Sequence, residues 1–340
     1  MKTCLLPSEG NLYRANLHSH STISDGSLTP QALKDLYKSS GYSILAIADH
    51  NHLISHEELC DEDFLMLPAV EYDIAENLSL PGCMKKVYHF NFYPEDPHNL
   101  AMPCYNSKKV YHGITAPKQA QQYVGDPNYE REYSKVNEVV AAYCENGFIA
   151  MLNHPTWSLH TAKDYEFLDL SRFFAMEIYN HGMFQTEGYY EINTHLYDTL
   201  LRRGHKLFCT ATDDNHNFRL PREDASCGGF VMIKAPELTH RAIINALKAG
   251  NFYASMGPEI RELYIENNIL HVKTSPAAKI VLSTGYRCMK VAYPTSPHAG
   301  LSEASFDLSS IHPGYVRVTV TDERGHMAWS QPYYKTEPAI

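Results

Sequence analysis

The stretch Asn16-Leu17-His18-Ser19-His20-Ser21, with Ser24-Asp25-Gly26 just beyond it, decides how this chain is read. Leu12 to Leu17 reads as a strand, so His18 and His20 stand two residues apart. In extended backbone that spacing turns both side chains to one face. Two imidazoles on one face, where a strand runs into a loop, make half of a metal site. Asp25 lies one short turn further on, and Gly26 lets the chain bend back. Taken alone, the pair reads equally well as two core or surface histidines that happen to alternate.

The later chain keeps offering donors where strands end. Thr29 caps a helix, Pro30 suits its first position and Gly41 closes it. Tyr42 to Ala48 is an apolar run of the kind expected when both faces are covered. It ends in Asp49-His50-Asn51-His52, with His50 expected to ligate metal and Asp49 to orient a neighbouring ligand. Asp49 also reads as a plain turn or cap residue. Phe64 to Val70 forms the next strand and delivers Glu71, a carboxylate that is costly there unless paired or metal-bound. Lys86 to Phe92 alternates around His89. Residues 94–134 are rich in Pro, Asn, Tyr and Gly and read as a long insertion. A helix over 131–146 and a strand over 148–152 follow, ending in Asn153-His154-Pro155. Helices over 161–171, 187–203 and 236–249 alternate with strands over 173–179, 205–211 and 229–233. The strand over 173–179 ends in Asn180-His181, and that over 205–211 in Asp213-Asp214-Asn215-His216.

Alternating strands and helices imply parallel β-α units. About seven of them, with donors at many strand ends, favour a barrel over an open sheet, which gathers ligands mainly at one switch point. Past about Met256 the pattern changes to short strands broken by Asn-Asn, Ser-Pro, Gly and Pro, without a useful helix. That is expected of a small antiparallel sandwich of immunoglobulin-like size. The expected fold class is therefore α/β, a distorted TIM-like barrel over 1–255 with the insertion at 94–134, then an all-β sandwich over 256–340.

Composition narrows the function. The chain has 340 residues, 44% hydrophobic and 20% charged, which suits a globular protein of more than one core. It contains no apolar run of membrane-spanning length. Met1 to Gly10 lacks the apolar segment of a secretion signal, and the eight cysteines form no Cys-x-x-Cys pair. A cytoplasmic protein with reduced thiols is the expectation. The formal net charge of −10 disfavours an extended nucleic-acid partner, while a small anionic substrate stays open if cations are bound. Nineteen histidines stand out. Collected from the strand ends, His18, His20, Asp25, His50, Glu71, His89, His154, Asp214 and His216 could hold two or three ions. The absence of thiolates from the set favours zinc, manganese or iron.

These pieces, in order, resemble the PHP (polymerase and histidinol phosphatase) family of metal-dependent phosphoesterases. His18-x-His20-Ser21 with Ser24-Asp25-Gly26, and Ile47-Ala48-Asp49-His50-Asn51, resemble the family's opening motifs. Pro68-Ala69-Val70-Glu71, Val87-Tyr88-His89-Phe90, Asn153-His154-Pro155 and Asp214-Asn215-His216 resemble later ones. The resemblance runs over about residues 11–255. The tail, with Asp322-Glu323-Arg324-Gly325 and Ala328-Trp329-Ser330, is similar to the sandwich appended to some two-domain members. It implies a distorted (β/α)7 barrel with a di- or trinuclear centre. It also implies a partition: His18, His20, Glu71 and Asp214 for one ion; Glu71, His89 and His154 for a second; Asp25, His50 and His216 for a third. The implied activity is hydrolysis of a phosphate ester, on a small metabolite or nucleotide, by a metal-activated hydroxide. Ala48 stands where the family commonly has Thr, and the insertion is long.

His181 is expected to protonate the leaving group, and Arg219 and Arg222 to clamp phosphate; all three read equally well as surface residues. The tyrosines of the insertion could stack a base or sugar, though packing explains them as readily. Two rival functions remain at this point. One is a metal hydrolase of C–N bonds, whose usual strand-end lysine is missing. The other is a binding protein that uses the sandwich.

Overall fold

The computed structural model describes residues 2–111, 113–115, 121–217, 225–296, 299–312 and 314–335. It is a mixed α/β structure, rich in sheet and sparing in helix. Two sheets carry the site. In the five-stranded sheet the order is Phe208–Thr212, Phe173–Asn180, Phe148–Leu152, Val87–Pro94 and Val70–Ala75. In the ten-stranded sheet, Phe252–Ser255, Phe230–Ala235, Asn11–Asn16, Ile44–Ile47 and Leu65–Pro68 lie side by side. The two sheets join where Leu65–Pro68 runs, past Ala69, into Val70–Ala75.

The expected succession of parallel units holds only in part. Asn11–Asn16, Ile44–Ile47 and Leu65–Pro68 are parallel, as are Phe148–Leu152, Phe173–Asn180 and Phe208–Thr212. Val87–Pro94, however, is antiparallel to both of its neighbours, and Phe230–Ala235 to both of its own. The reason is local: Val70–Ala75 and Val87–Pro94 are linked by residues 76–86, with no crossover helix between them. His89 consequently sits near the amino end of its strand, opposite Asp73, rather than at a carboxyl end.

Expected helices also shrink. Over 161–171 there are turns and one 3-10 turn, Leu170–Arg172. Asp164 accepts from the Thr161 amide and hydroxyl, which competes with helical hydrogen bonding. The helix expected over 187–203 is Thr194–Arg202, because Glu191 is drawn inward to accept from the Thr156 and Trp157 amides. Pro30–Ser39 begins as expected, with Thr29 accepting from the Ala32 amide.

Hydrogen bonding runs on through the proposed boundary at 255. Phe252–Ser255 pairs with Met327–Trp329, so the ten-stranded sheet continues through Gly314–Thr321, Lys279–Thr284 and Lys290–Ala292. Lys2–Cys4 pairs with Ile260–Glu266 in a separate four-stranded sheet. The tail is all β, and its apolar core is made by Leu263, Val272, Ile280, Leu282, Val318, Val320 and neighbours.

The helix Val136–Glu145 covers the five-stranded sheet. It buries Val136, Val139, Val140 and Tyr143, and Tyr143 stacks on Phe92 with centroids 3.8 Å apart. Nearby, His160 is buried between the hydroxyls of Tyr165 (3.2 Å) and Tyr133 (3.3 Å). Burial holds its imidazole down at about 3. The unfolded chain takes up that proton near the ordinary histidine value, the folded chain only far lower, so stability falls as pH drops through that window. His160→Gln is expected to flatten the decline, by an amount on the order of 3 kcal/mol at pH 3. Melting curves of both proteins from pH 7 to pH 3 check this, and parallel slopes would refute it.

Candidate metal centre

Four loops converge at one end of the two sheets, and short backbone bonds lock them. Asp214 N–H donates to His18 O at 2.8 Å, His20 N–H to Asn215 O at 3.1 Å, and Ser19 and Asn215 form a parallel bridge. Asn16, the last residue of its strand, donates to His18 O (2.9 Å) and accepts from the Asp213 amide (3.0 Å). His50 bridges Glu71 in the same way, and Asn153 N–H donates to His89 O at 3.1 Å. Gly26 is needed for the return of the Asp25 loop: a Cβ there would meet His20 O at 2.2 Å. Asp214 adopts φ +49°, a left-handed conformation that is uncommon outside glycine but tolerated by Asp and Asn.

The nine candidate ligands meet in three groups, each with donor atoms within 4.8 Å of one another. His18, His20, Glu71 and Asp214 form the first, all buried. Glu71, His89 and His154 form the second, and His20, Asp25, His50 and His216 the third. The third differs from the implied partition by one residue: Nε2 of His20 faces Glu71 (3.2 Å) and Asp214 (3.1 Å), and its Nδ1 faces Asp25 (3.5 Å). Glu71 is shared by the first and second groups, and His20 by the first and third. Oε1 of Glu71 lies 3.0 Å from His89, 3.3 Å from His18 and 3.3 Å from His154; its Oε2 lies 3.2 Å from His20 and 3.3 Å from His50.

The buried carboxylates and imidazoles of the cluster offset one another. Burial raises the cost of charge on Glu71 and Asp214, yet the surrounding imidazoles hold both carboxyls well below their ordinary range. Conversely, burial lowers His20, but the Asp214 and Glu71 carboxylates beside its Nε2 push it up to about 10, and the same carboxylates raise His18 and His154. His50 is carried down to about 4, by burial first. Three buried atoms in the middle of this, His20 Nδ1, His50 Nδ1 and Asp214 Oδ1, have no hydrogen-bond partner among the described residues. Buried polar atoms without a hydrogen-bond partner are costly unless something binds them. Imidazole and carboxylate without thiolate suit zinc, manganese or iron.

No family model matches the chain, and no curated protein matches it. Among solved structures it is similar to a two-domain protein from Bacteroides vulgatus containing a predicted PHP-like metal-dependent phosphoesterase. Identity is 14%, the TM-score 0.45, and 98% of each chain is covered. It is also similar to a metal-dependent phosphoesterase, so described, from Bifidobacterium adolescentis (15%, TM-score 0.41, 65% of this chain and 92% of that one). A third is an amidohydrolase from Chromobacterium violaceum with bound sulfate and no metal (15%, TM-score 0.42, 70% and 96%). At these values the likenesses assign nothing to the site, and the donor geometry stands by itself.

The cluster floors a cavity of about 370 Å³. Asp25, His50, Glu71, His89, His154, Asp214 and His216 reach its surface, together with Asp73, Tyr111, Trp157 and Glu187. Among the described lining residues there is no Lys, Arg, Ser or Cys. Asp73 is held below the usual carboxylate range despite burial, because Arg131 lies 2.8 Å away.

Of the other sequence candidates, His181 and Asp49 are not among the lining residues. His181 Nδ1 lies 2.6 Å from the Tyr179 hydroxyl, and its ring packs on Gly228, where a Cβ would come within 2.2 Å. Asp49 touches no ligand imidazole by hydrogen bond; it accepts from Ser21 N–H (2.8 Å), Ser21 Oγ (2.6 Å) and Ser24 Oγ (2.6 Å), and so shapes the loop that carries Asp25. Arg219 and Arg222 lie outside the described residues.

Sequence reasoning missed a layer of buried polar residues beneath the donors. Asn153 donates to Glu71 Oε1 at 2.7 Å, and Asn180 donates to Asp214 Oδ2 at 3.1 Å. Asp213, next to the ligand, accepts from Tyr37 (2.6 Å) and from the amides of Cys227, Gly228 and Gly229. Glu177 lies under His18 at 2.7 Å. The signal for Glu177 was present: a carboxylate inside the apolar strand run 173–179 needs a partner for the reason already applied to Glu71.

Proposed function

We propose that this chain is a metal-dependent phosphoesterase, hydrolysing a phosphate ester of a small metabolite or nucleotide. The observation that carries the reading is Glu71, one carboxylate shared by five imidazoles at the floor of a cavity that offers no described serine or cysteine nucleophile. The nine donors would hold two or three divalent ions, divided as the three groups are. Such ions lower the pKa of bound water to near neutral and offset charge on phosphoryl oxygens. An acidic cavity without a described cation at its wall suits an anionic ester only if those ions are present.

The chain's own residues do the rest. Asn153 fixes one oxygen of Glu71 and Asn180 one oxygen of Asp214, so both carboxylates are aimed before anything binds. Trp157 packs edge-on against His154, with centroids 4.9 Å apart, and Tyr111 lies 5.2 Å from His50. These two rings line the cavity wall. Within this reading the five-stranded sheet and the strands of the ten-stranded sheet up to Ser255 correspond to a distorted barrel over 1–255, and the tail to an appended sandwich. Eight free cysteines fit a reducing cytoplasm. Among the described residues, no helix is long and apolar enough to cross a membrane.

Metal analysis of the purified protein, followed by a panel of phosphomonoesters and phosphodiesters with and without Mn²⁺, tests the proposal. Bound divalent ions and phosphate release that a chelator removes are expected. Silence across the panel, or release of an amine from C–N substrates instead, would overturn it.

A further inference from the structure

Glu177 lies fully buried in the strand Phe173–Asn180, and each of its oxygens accepts two hydrogen bonds. Oε1 lies 2.7 Å from His18 Nδ1 and accepts from Thr212 Oγ1 at 2.7 Å. Oε2 accepts from the His154 backbone amide at 2.7 Å and from Asn180 Nδ2 at 2.9 Å. Asn180 passes the constraint on to Asp214. One side chain therefore grips a donor ring of the first group, the backbone of a donor in the second and, through Asn180, a second donor of the first. The third group is untouched by it.

We propose that Glu177 is a positioning residue that sets the tautomer of His18 and makes the two buried donor groups ready for their ions together. The inference rests on the metal-centre reading above. The physical argument is one of donor and acceptor count. With a carboxylate at its Nδ1, the neutral His18 ring carries its proton there, which leaves the Nε2 lone pair facing Glu71, Asp214 and His20. Four donors converge on Glu177, and only two oxygens with free lone pairs on both sides accept them all. A glutamine has one oxygen. Turned one way, its amide nitrogen faces the His154 amide and Asn180, donor against donor. Turned the other way, it faces His18 Nδ1 and reverses the tautomer, so that a proton points into the ion site.

The variant E177Q is expected to bind Mn²⁺ in the buried groups about 10–100-fold more weakly than the parent protein. The group of Asp25, His50 and His216 is expected to keep its affinity. Equilibrium dialysis against a Mn²⁺ series, with bound metal counted at each step, reads both effects without any activity assay. Selective weakening of the tight steps supports the proposal. Unchanged binding in E177Q, or an equal loss at every step, overturns it and leaves the metal centre standing. A parent protein that binds no Mn²⁺, Zn²⁺ or Fe²⁺ overturns the metal-centre reading itself. Should E177Q not fold, Thr212→Val removes one of the four donors and leaves the charge; it is expected to weaken the same steps several-fold, and no change in it overturns the proposal equally.

Discussion

Replacing Glu71 with Gln is expected to abolish turnover, by on the order of 10³-fold or more, since even partners outside the ligand set typically cost about 10–100-fold. The substitution keeps the volume of a side chain that is 1% exposed, so the packing of the loops around it survives. What changes is the chemistry at one atom and the charge at both. An oxygen facing three imidazoles, or the other facing two, becomes an N–H donor aimed at them. The negative charge that the first two groups share, and that His20 and His50 also face, disappears with it. Bound metal is expected to fall to the content of the Asp25, His50 and His216 group at most. A second readout is thermal: ligands that bind the folded state raise its melting temperature by mass action. The parent protein is expected to melt higher with Mn²⁺ than with chelator, and Glu71→Gln to show little of that rise. A variant with full metal, full activity and the same metal-dependent melting shift would remove the reason for placing the chemistry here.

The side chains that cluster here were legible because their chemistry is local. A buried strand that ends in His or Asp is unusual in itself, and repeated use of that ending pointed to convergence. How they converge was less legible. His18 and His20 were read as neighbours on one face of a strand, but that strand closes at Asn16. The two rings are aligned instead by the pairing of their loop with Asn215 and the Asp214 amide, nearly two hundred residues away. Strand order escaped for the same reason. Nothing in the periodicity of Val87–Pro94 says that it runs antiparallel to both neighbours, because direction is set by partners and by the link between strands. The buried polar layer was hidden by its residue types. Asn153 and Asp213 each stand beside a candidate ligand in sequence and Asn180 beside His181, and alone they read as turn formers. Only the burial of all three shows that they are held by the donors they support.

The tail of the chain yields the second large effect. Arg317, on Gly314–Thr321, and Asp198, on the helix Thr194–Arg202, form a buried pair with two parallel bonds: Nε to Oδ1 and a terminal nitrogen to Oδ2, each 2.8 Å. Thr319 takes a third arginine donor at 2.7 Å, and the Tyr315 hydroxyl donates to Asp198 at 3.0 Å. The pair fastens a helix that covers the five-stranded sheet to a strand of the tail. Its net worth against an apolar substitute is small, since desolvating two ions offsets most of their attraction. Breaking it from one side is different. Arg317→Met leaves the Asp198 carboxylate buried with one hydroxyl for a partner, at a cost of about 3–5 kcal/mol. Arg317→Met with Asp198→Leu is expected to recover most of that loss, since neither charge is then stranded. Neither residue reaches the cavity wall, so turnover measured well below the melting transition is expected to stay at the parent level in both variants. Denaturant titrations of the single and double variants give the comparison. A single variant that loses less than about 1 kcal/mol would mean that solvent reaches Asp198 and that this pair does not hold the tail in place.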